Sequence, residues 1–305
     1  MSESAYHTPV LLKEVTFYLD LDSHDNGIYV DCTLGGGGHS EAILEKIGPA
    51  GKLIGIDQDI EAIEAAKKRL DKYGDRVTIV HDNFISLGKI LLKTNISRVD
   101  GILIDLGISF HQLETPSRGF SFNQQSLDSK LDMRMNQNQD LNAYDVVNLY
   151  PEKELRRIFF ELGEETYGGK IAAEIIRSRQ KKKIETTGEL IDVIRRATPP
   201  DYRFSKEHGS WASKVFRAIR MEVNQELPVL QEILPQALEC LKPAGRLAVI
   251  SFHSLEDRIV KKQFVAWQKS GLVEILTPAP IEASPEELAF NSRSASAKLR
   301  VIKKL

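Results

Sequence analysis

Apolar residues in the first third of the chain fall into short unbroken runs, with stretches of helical period between the first three. Ile28-Tyr29-Val30-Asp31-Cys32, Lys52-Leu53-Ile54-Gly55-Ile56-Asp57, Val77-Thr78-Ile79-Val80 and Val99 to Leu106 read as strands. Runs without polar alternation suit strands buried on both faces. Ser40 to Ile47, closed by Gly48, and Ile60 to Tyr73, closed by Gly74, read as helices; a glycine after the last apolar position supplies the left-handed stop. Strand and helix alternating at this spacing predict parallel strands joined by right-handed crossovers. The pattern resumes with a helix over Glu226 to Leu241, a turn at Pro243-Ala244-Gly245, a fifth strand from Arg246 to Phe252 and a helix from Leu255 to Trp267. Val273 to Leu276 and Leu299 to Ile302 are the last strands expected.

About 140 residues separate the fourth and fifth strands, far more than an ordinary connection. They carry helical patterns of their own at Ala143–Tyr150, Glu152–Leu162, Gly168–Lys182 and Glu189–Ala197. Thr186 and Glu189 have capping-box spacing, and Pro151 suits a first helical position. The expected organisation is an α/β domain over residues 1–109 and 211–305, interrupted by an inserted helical domain over residues 110–210.

A hydrophobic share of 42% and a charged share of 28% place the chain among soluble globular proteins with ample core. No apolar run is long enough to span a membrane, and Met1 to Lys13 lacks the features of a signal peptide. Two cysteines, Cys32 and Cys240, in apolar segments do not suggest a disulfide framework. The expected location is the cytoplasm. Net charge is −2, which argues against a generally basic nucleic-acid binder, but its distribution is uneven. Residues 1–150 carry 14 Lys/Arg against 22 Asp/Glu, residues 151–220 carry 16 against 11, and residues 221–305 carry 11 against 10. The basic middle points weakly to a polyanionic partner, with a solvated helix face as the plain alternative.

Ligands of open α/β sheets bind outside the carboxyl ends of the strands. There the chain places Asp31-Cys32-Thr33-Leu34-Gly35-Gly36-Gly37-Gly38-His39-Ser40, then Asp57 to Asp59, His81 to Phe84, and Asp105 to Gln112. A glycine run between strand and helix lets backbone approach a ligand closely, and an acid ending the second strand suits ribose hydroxyls. A nicotinamide-dependent oxidoreductase would use both features, but its glycine fingerprint is broken by Ser40. Asp105-Leu106-Gly107-Ile108-Ser109 instead sets an acid beside the expected ligand, where proton or amine chemistry has use for one.

Eight segments together resemble one family. They are His7-Thr8-Pro9-Val10-Leu11-Leu12, Gly36-Gly37-Gly38-His39-Ser40, Gly55-Ile56-Asp57, Asp105-Leu106-Gly107-Ile108-Ser109, Arg118-Gly119-Phe120-Ser121-Phe122, Leu131-Asp132-Met133-Arg134-Met135, Ile250 to Arg258, and Ser296-Ala297-Lys298-Leu299-Arg300. In order and spacing the chain resembles, nearly end to end, the bacterial small-subunit rRNA cytosine-N4-methyltransferases (RsmH/MraW type). The resemblance implies a class I S-adenosylmethionine-dependent methyltransferase fold, Rossmann-like with a mostly parallel seven-stranded sheet. It implies methylation of N4 of a cytidine in 16S rRNA near the decoding centre, within an assembled or nearly assembled small ribosomal subunit. A monomer and a homodimer both remain open. The implied cofactor contacts are Gly37, Gly38, His39, Asp57, Phe84, Asp105 and Gln112. Two stretches depart from the family wording: Lys206-Glu207-His208-Gly209-Ser210-Trp211-Ala212, and Phe110-His111 after Ser109.

Plain readings stand beside these. His39 alternatively caps the following helix, and Phe84 alternatively belongs to the core. Asp105 either accepts the substrate amine or holds the methionine end of the cofactor. Arg118 and Arg134 contact RNA phosphate or anchor a loop; Phe120 and Phe122 stack on the base or pack in the core. Lys181, Lys182 and Lys183 are candidate phosphate contacts or a solvated helix end. His253 beside Glu256, Asp257 and Arg258 is read as a hydrogen-bond organiser, and no catalytic metal is expected. A non-catalytic RNA-binding scaffold is the remaining alternative to an enzyme.

Overall fold

The computed structural model describes residues 9–23, 26–204 and 211–305. The expectations attached to His7 and Thr8, and to Lys206-Glu207-His208-Gly209-Ser210, lie outside these residues. The chain divides into two compact units, one made of the segments ending at Ser109 and beginning at Leu227, the other of Phe110–Glu226.

The first unit opens with α1 (Leu12–Tyr18), β1 (Ile28–Asp31), α2 (Gly38–Lys46), β2 (Lys52–Asp57), α3 (Ile60–Leu70), β3 (Val77–His81), α4 (Leu87–Lys93) and β4 (Val99–Asp105). The second unit contains α5 (Phe110–Glu114), α6 (Ala143–Leu149), α7 (Glu152–Glu161), α8 (Gly168–Arg179), α9 (Thr187–Ala197), α10 (Pro200–Phe204) and α11 (Ser213–Asn224). The chain then runs through α12 (Glu226–Cys240), β5 (Leu241–Ser251), α13 (Ser254–Lys269), β6 (Val273–Ile275), α14 (Pro285–Phe290) and β7 (Lys298–Lys304).

The strands form one sheet in the order β3-β2-β1-β4-β5-β7-β6. The first five are parallel, and β7 runs antiparallel between β5 and β6. This is the mostly parallel seven-stranded sheet of a class I methyltransferase fold. Both faces are covered, as the unbroken apolar runs require. On one face Val30, Ile54, Ile102 and Val249 pack with Leu87 and Ile90 of α4, Ile233 of α12 and Phe264 of α13. On the other, Tyr29, Leu53, Leu103 and Ile250 pack with Val15 of α1, Ile43 and Leu44 of α2, and Ala66 and Leu70 of α3. Each such aliphatic side chain contributes about 1.5–3 kcal/mol when fully buried.

The expected elements are present, with some altered ends. α3 stops at Leu70 and a 3-10 turn carries the chain to Arg76, with Gly74 at φ 54°. β5 begins at Leu241, not Arg246, because Leu241 pairs with Val99 before the register shifts to Gly101 and Arg246. Pro151 is the N-cap of α7, one position earlier than expected. α1, α4 and α14 carry no sequence signal of comparable strength: six or seven residues hold under two turns of periodicity, and helices so short depend on tertiary packing.

In the second unit α7 packs on α8, α8 on α9, and α11 on both α6 and α7. Val146, Leu155, Ile158, Phe159, Ile171, Ile175, Ile194 and Ile219 are buried there. Thr186 and Glu189 form the reciprocal capping box that opens α9. The unit extends to Glu226, beyond the expected boundary at residue 210, because α11 buries Val215, Phe216, Ile219 and Met221 within it. Among the described residues no helix is long and apolar enough to cross a membrane.

Candidate active site

In the first unit the ends of β1, β2 and β4 deliver three acids to one edge of the sheet. Asp31 is the last residue of β1 and is 1% exposed. Its Oδ1 accepts the Thr33 N–H at 3.1 Å and its Oδ2 the Ser40 hydroxyl at 2.7 Å. Burial pushes its carboxyl above the usual carboxylate range, against the opposing pull of His39 and those two donors. The loop this network shapes carries Gly35 at φ 51° and Gly37 at φ 79°, the latter capping α2. Gly38 is held by packing: a Cβ there would lie 2.5 Å from Pro9 Cγ. The glycines therefore serve a left-handed path and a close approach, two properties only this residue combines.

Asp57 ends β2 half-buried, its Oδ2 accepting Gly35 N–H at 2.8 Å and its Oδ1 accepting Asp59 N–H at 2.9 Å. Burial, partly offset by these bonds, pushes its carboxyl up to about 6. Each oxygen keeps a further lone pair, a fit for the paired hydroxyls of a ribose. Asp105 ends β4, and its backbone N–H is donated to Thr33 Oγ1 at 2.7 Å, which ties the glycine loop to the turn at Gly107. His39, in the first turn of α2, is 7% exposed and places Nε2 3.6 Å from Asp105 Oδ2. Neither ring nitrogen of His39 has a hydrogen-bond partner among the described residues, and neither has Asp105 Oδ1. The capping role considered for His39 is thereby excluded; Gly37 is the N-cap and no side chain caps α2. Buried polar atoms in native proteins nearly always have partners, so three orphans beside a glycine loop fit a polar ligand.

The other expected site residues are placed as follows. Phe84 follows β3 in a turn capped by Asn83 and is half-buried against the core. Gln112 is buried in α5, at the start of the second unit. Phe120 is 5% exposed, and the Phe122 ring lies 4.8 Å from that of Phe216 within the second unit. Arg118 corrects the RNA-contact expectation: it is 1% exposed, and its Nη2 donates to the carbonyls of Arg134 and Met135 at 3.0 and 3.1 Å. Arg134 is likewise engaged locally, paired in a fork with Asp132 at 2.9 and 2.8 Å and donating to Gln139 O at 2.8 Å. Lys182 pairs with Glu189 of the capping box, while Lys181 and Lys183 are exposed without an ion pair among the described residues. Much of the basic excess is neutralised the same way, with Arg177 and Arg196 both on Glu174, Arg157 on Glu154 and Glu222, and Arg195 on Asp192. His253 caps α13 and Glu256 accepts Phe252 N–H, so the pair organises the β5–α13 turn as expected.

Asp31, Thr33 and Ser40 were given no role by the sequence. Their only signal was position, a polar residue at each end of a glycine run.

A sequence model of the MraW methylase family matches residues 4–305. A protein of Clostridium botulinum (strain Loch Maree / Type A3) named ribosomal RNA small subunit methyltransferase H is 48% identical over 314 residues, covering 98% of this chain and 99% of that protein. A protein of the same name from Fusobacterium nucleatum subsp. nucleatum is 46% identical over 318 residues, covering 98% and 97%.

Proposed function

Because the chain belongs to the MraW methylase family, we propose that it transfers a methyl group from S-adenosylmethionine to N4 of a cytidine in 16S rRNA of the small ribosomal subunit, near the decoding centre. The observation that carries this reading is Asp105, an acid whose Oδ1 has no hydrogen-bond partner, tied by Thr33 to a glycine loop that Asp57 also braces. Relatives sharing nearly half their residues over the full length are named ribosomal RNA small subunit methyltransferase H, which supports small-subunit rRNA as the substrate. Membership in a methylase family displaces the oxidoreductase and scaffold alternatives. The enzyme works where ribosomal subunits mature, in the cytoplasm.

S-adenosylmethionine, when bound, supplies an electrophilic methyl group on a sulfonium. Asp57 offers its free lone pairs to the ribose hydroxyls, and the backbone at Gly37 and Gly38 admits the donor closely. The cytosine N4 lone pair is delocalised into the ring and is a weak nucleophile. An acceptor on one N4–H localises that pair, and Asp105 Oδ1 is placed for this role. Alignment of amine and methyl supplies much of the remaining rate. The N4 proton then leaves toward Asp105 or water. Methyl transfer to small subunits from a strain lacking the enzyme, followed by mass spectrometry of the nucleosides, tests the proposal. Product other than N4-methylcytidine would falsify it.

Cofactor affinity is expected to depend on pH through Asp57. The carboxylate accepts hydroxyl protons only when ionised, and its acid strength in the free protein is set near pH 6. As pH falls through that value the group gains a proton, loses an acceptor site and forces out a backbone N–H. Affinity for S-adenosylhomocysteine should therefore fall about tenfold between pH 7.5 and pH 5 by proton linkage. The unliganded fold responds in the opposite sense. Ionising a desolvated acid with a raised pKa costs stability, so that cost is present above about pH 6 and relieved toward pH 4. Calorimetry across this range checks the first effect, and a flat profile removes Asp57 from the hydroxyl contact.

The helical unit over residues 110–226 we assign to RNA selection, with Lys181 and Lys183 as its phosphate contacts. Charge reversal of both, sparing Lys182 in its pair with Glu189, should weaken binding to the small subunit uniformly. Each lost phosphate contact should lower the salt-dependence slope by about 1. S-adenosylhomocysteine affinity should not change. Identical salt slopes for wild type and double mutant would assign the two lysines to solubility alone.

A further inference from the structure

We propose that His39 is a positioning residue that acts on Asp105 rather than on the methyl donor, an inference that rests on the reading of Asp105 above. Asp105 is held from two sides. Its backbone is fixed by the Thr33 hydroxyl, which accepts Asp105 N–H at 2.7 Å. Its carboxylate faces the buried His39 ring, with Nε2 3.6 Å from Oδ2. That distance exceeds a hydrogen bond, and closing it to about 2.9 Å needs less than 1 Å of movement. Catalytic hydrogen bonds commonly tighten in this way when substrate binds.

The chemistry of the partners sets the direction of the bond. Asp105 as a carboxylate only accepts, so the His39 tautomer with the proton on Nε2 donates to Oδ2. Oδ1, also buried and without a hydrogen-bond partner, is then left as the acceptor for the substrate N4–H. Asp31, at the end of β1, is near enough for His39 to oppose the upward push of burial on its carboxyl. Asp31 already accepts one bond on each oxygen, from Ser40 and Thr33, whereas the carboxylate oxygen 3.6 Å from His39 Nε2 belongs to Asp105, which assigns the His39 donor to Asp105. The imidazole thus selects which carboxylate oxygen meets the amine and restrains the carboxylate from rotating. It touches neither reacting atom.

A double-mutant cycle tests this, because a residue that acts through another loses its effect once the other is gone. Single-turnover methyl transfer to small subunits is measured for wild type, His39→Ala, Asp105→Asn and the double variant, alongside calorimetric affinity for S-adenosylhomocysteine. The expected result is a rate about tenfold lower for His39→Ala, affinity within about threefold of wild type, and a double variant no slower than Asp105→Asn. His39→Gln, whose amide N–H reaches toward Oδ2, should recover part of the rate. Effects that multiply overturn the proposal, as does a His39→Ala variant that loses affinity as much as rate. Where His39→Ala fails to fold, His39→Asn takes its place in the cycle with the same criteria. Wild-type rate in Asp105→Asn sinks the underlying reading of Asp105, and this inference with it, and is recognisable because it needs no His39 variant.

Discussion

Replacing Asp105 with Asn should slow single-turnover methyl transfer roughly 100-fold, within the range that positioned acid–base groups supply, while the fold and cofactor affinity stay close to wild type. Asn keeps the backbone N–H that Thr33 accepts, so the turn after β4 retains its anchor. What changes is the side chain. One oxygen becomes an NH₂, and charge is lost from a half-buried position, where hydrogen bonds to ionised groups are worth about 1.5–3 kcal/mol. If the NH₂ takes the Oδ1 position it meets the N4–H as donor against donor. If it takes the Oδ2 position it faces His39 Nε2. The first arrangement breaks the contact to the amine; the second leaves a neutral amide oxygen there, a weaker acceptor than a carboxylate. The competing role, a grip on the methionine end of the cofactor, predicts that rate and affinity fall together. Single-turnover kinetics with calorimetry on the same preparations separates the two, and a parallel loss assigns Asp105 to the cofactor.

The second large effect is on stability, at a residue the sequence offered as an RNA contact. Arg118→Met should lower the melting temperature of the unit containing residues 110–226 by on the order of 10 °C or more. The guanidinium is buried and donates to the carbonyls of Arg134 and Met135. Arg118 O in turn accepts Met133 N–H at 3.0 Å, so the residue clasps two stretches of irregular backbone. Methionine fills part of the volume but leaves the carbonyls without this donor, and an unsatisfied buried group costs about 1–3 kcal/mol. Gly119→Ala probes the same clasp independently. Gly119 sits at φ 69°, and a Cβ there would lie 2.4 Å from Lys130 O and 2.9 Å from Asp132 N, both backbone atoms with little room to move. Both variants should melt early and become sensitive to limited proteolysis within 110–226, with RNA binding lost only as the unit unfolds. An Arg118→Met variant with an unchanged melting temperature and weakened RNA binding would return Arg118 to the interface.

Local signals were sufficient for the scaffold. The four early strands were legible because burial on both faces forces unbroken apolar runs, and α9 because Thr186 and Glu189 carry its cap in sequence. Asp57 was legible for a similar reason: an acid that ends a strand next to a glycine loop has few positions available to it. Of the helices that went unread, α1, α4, α5, α10 and α14 have five to seven residues, too few to display a period, and depend on packing; α11 was missed although Val215, Phe216, Ile219 and Val223 lie buried at helical spacing along it.

What only the tertiary structure decided is which polar groups are already spent. Arg118, Arg134 and Lys182 are as basic as Lys181 and Lys183 in sequence, and only the fold shows the first three bound to carbonyls or carboxylates nearby. The partners of the active-site acid are of the same kind. Thr33 and His39 precede Asp105 by more than sixty residues, and nothing in their spacing announces the contact. β1 and β4 become neighbours through sheet order, with Asp31 beside Leu103 in register, and that adjacency brings a hydroxyl and an imidazole from the loop and helix after one strand to the acid at the end of the other. Hydrophobic periodicity is written residue by residue along the chain, whereas hydrogen-bond satisfaction is settled by groups that meet only once the chain has folded.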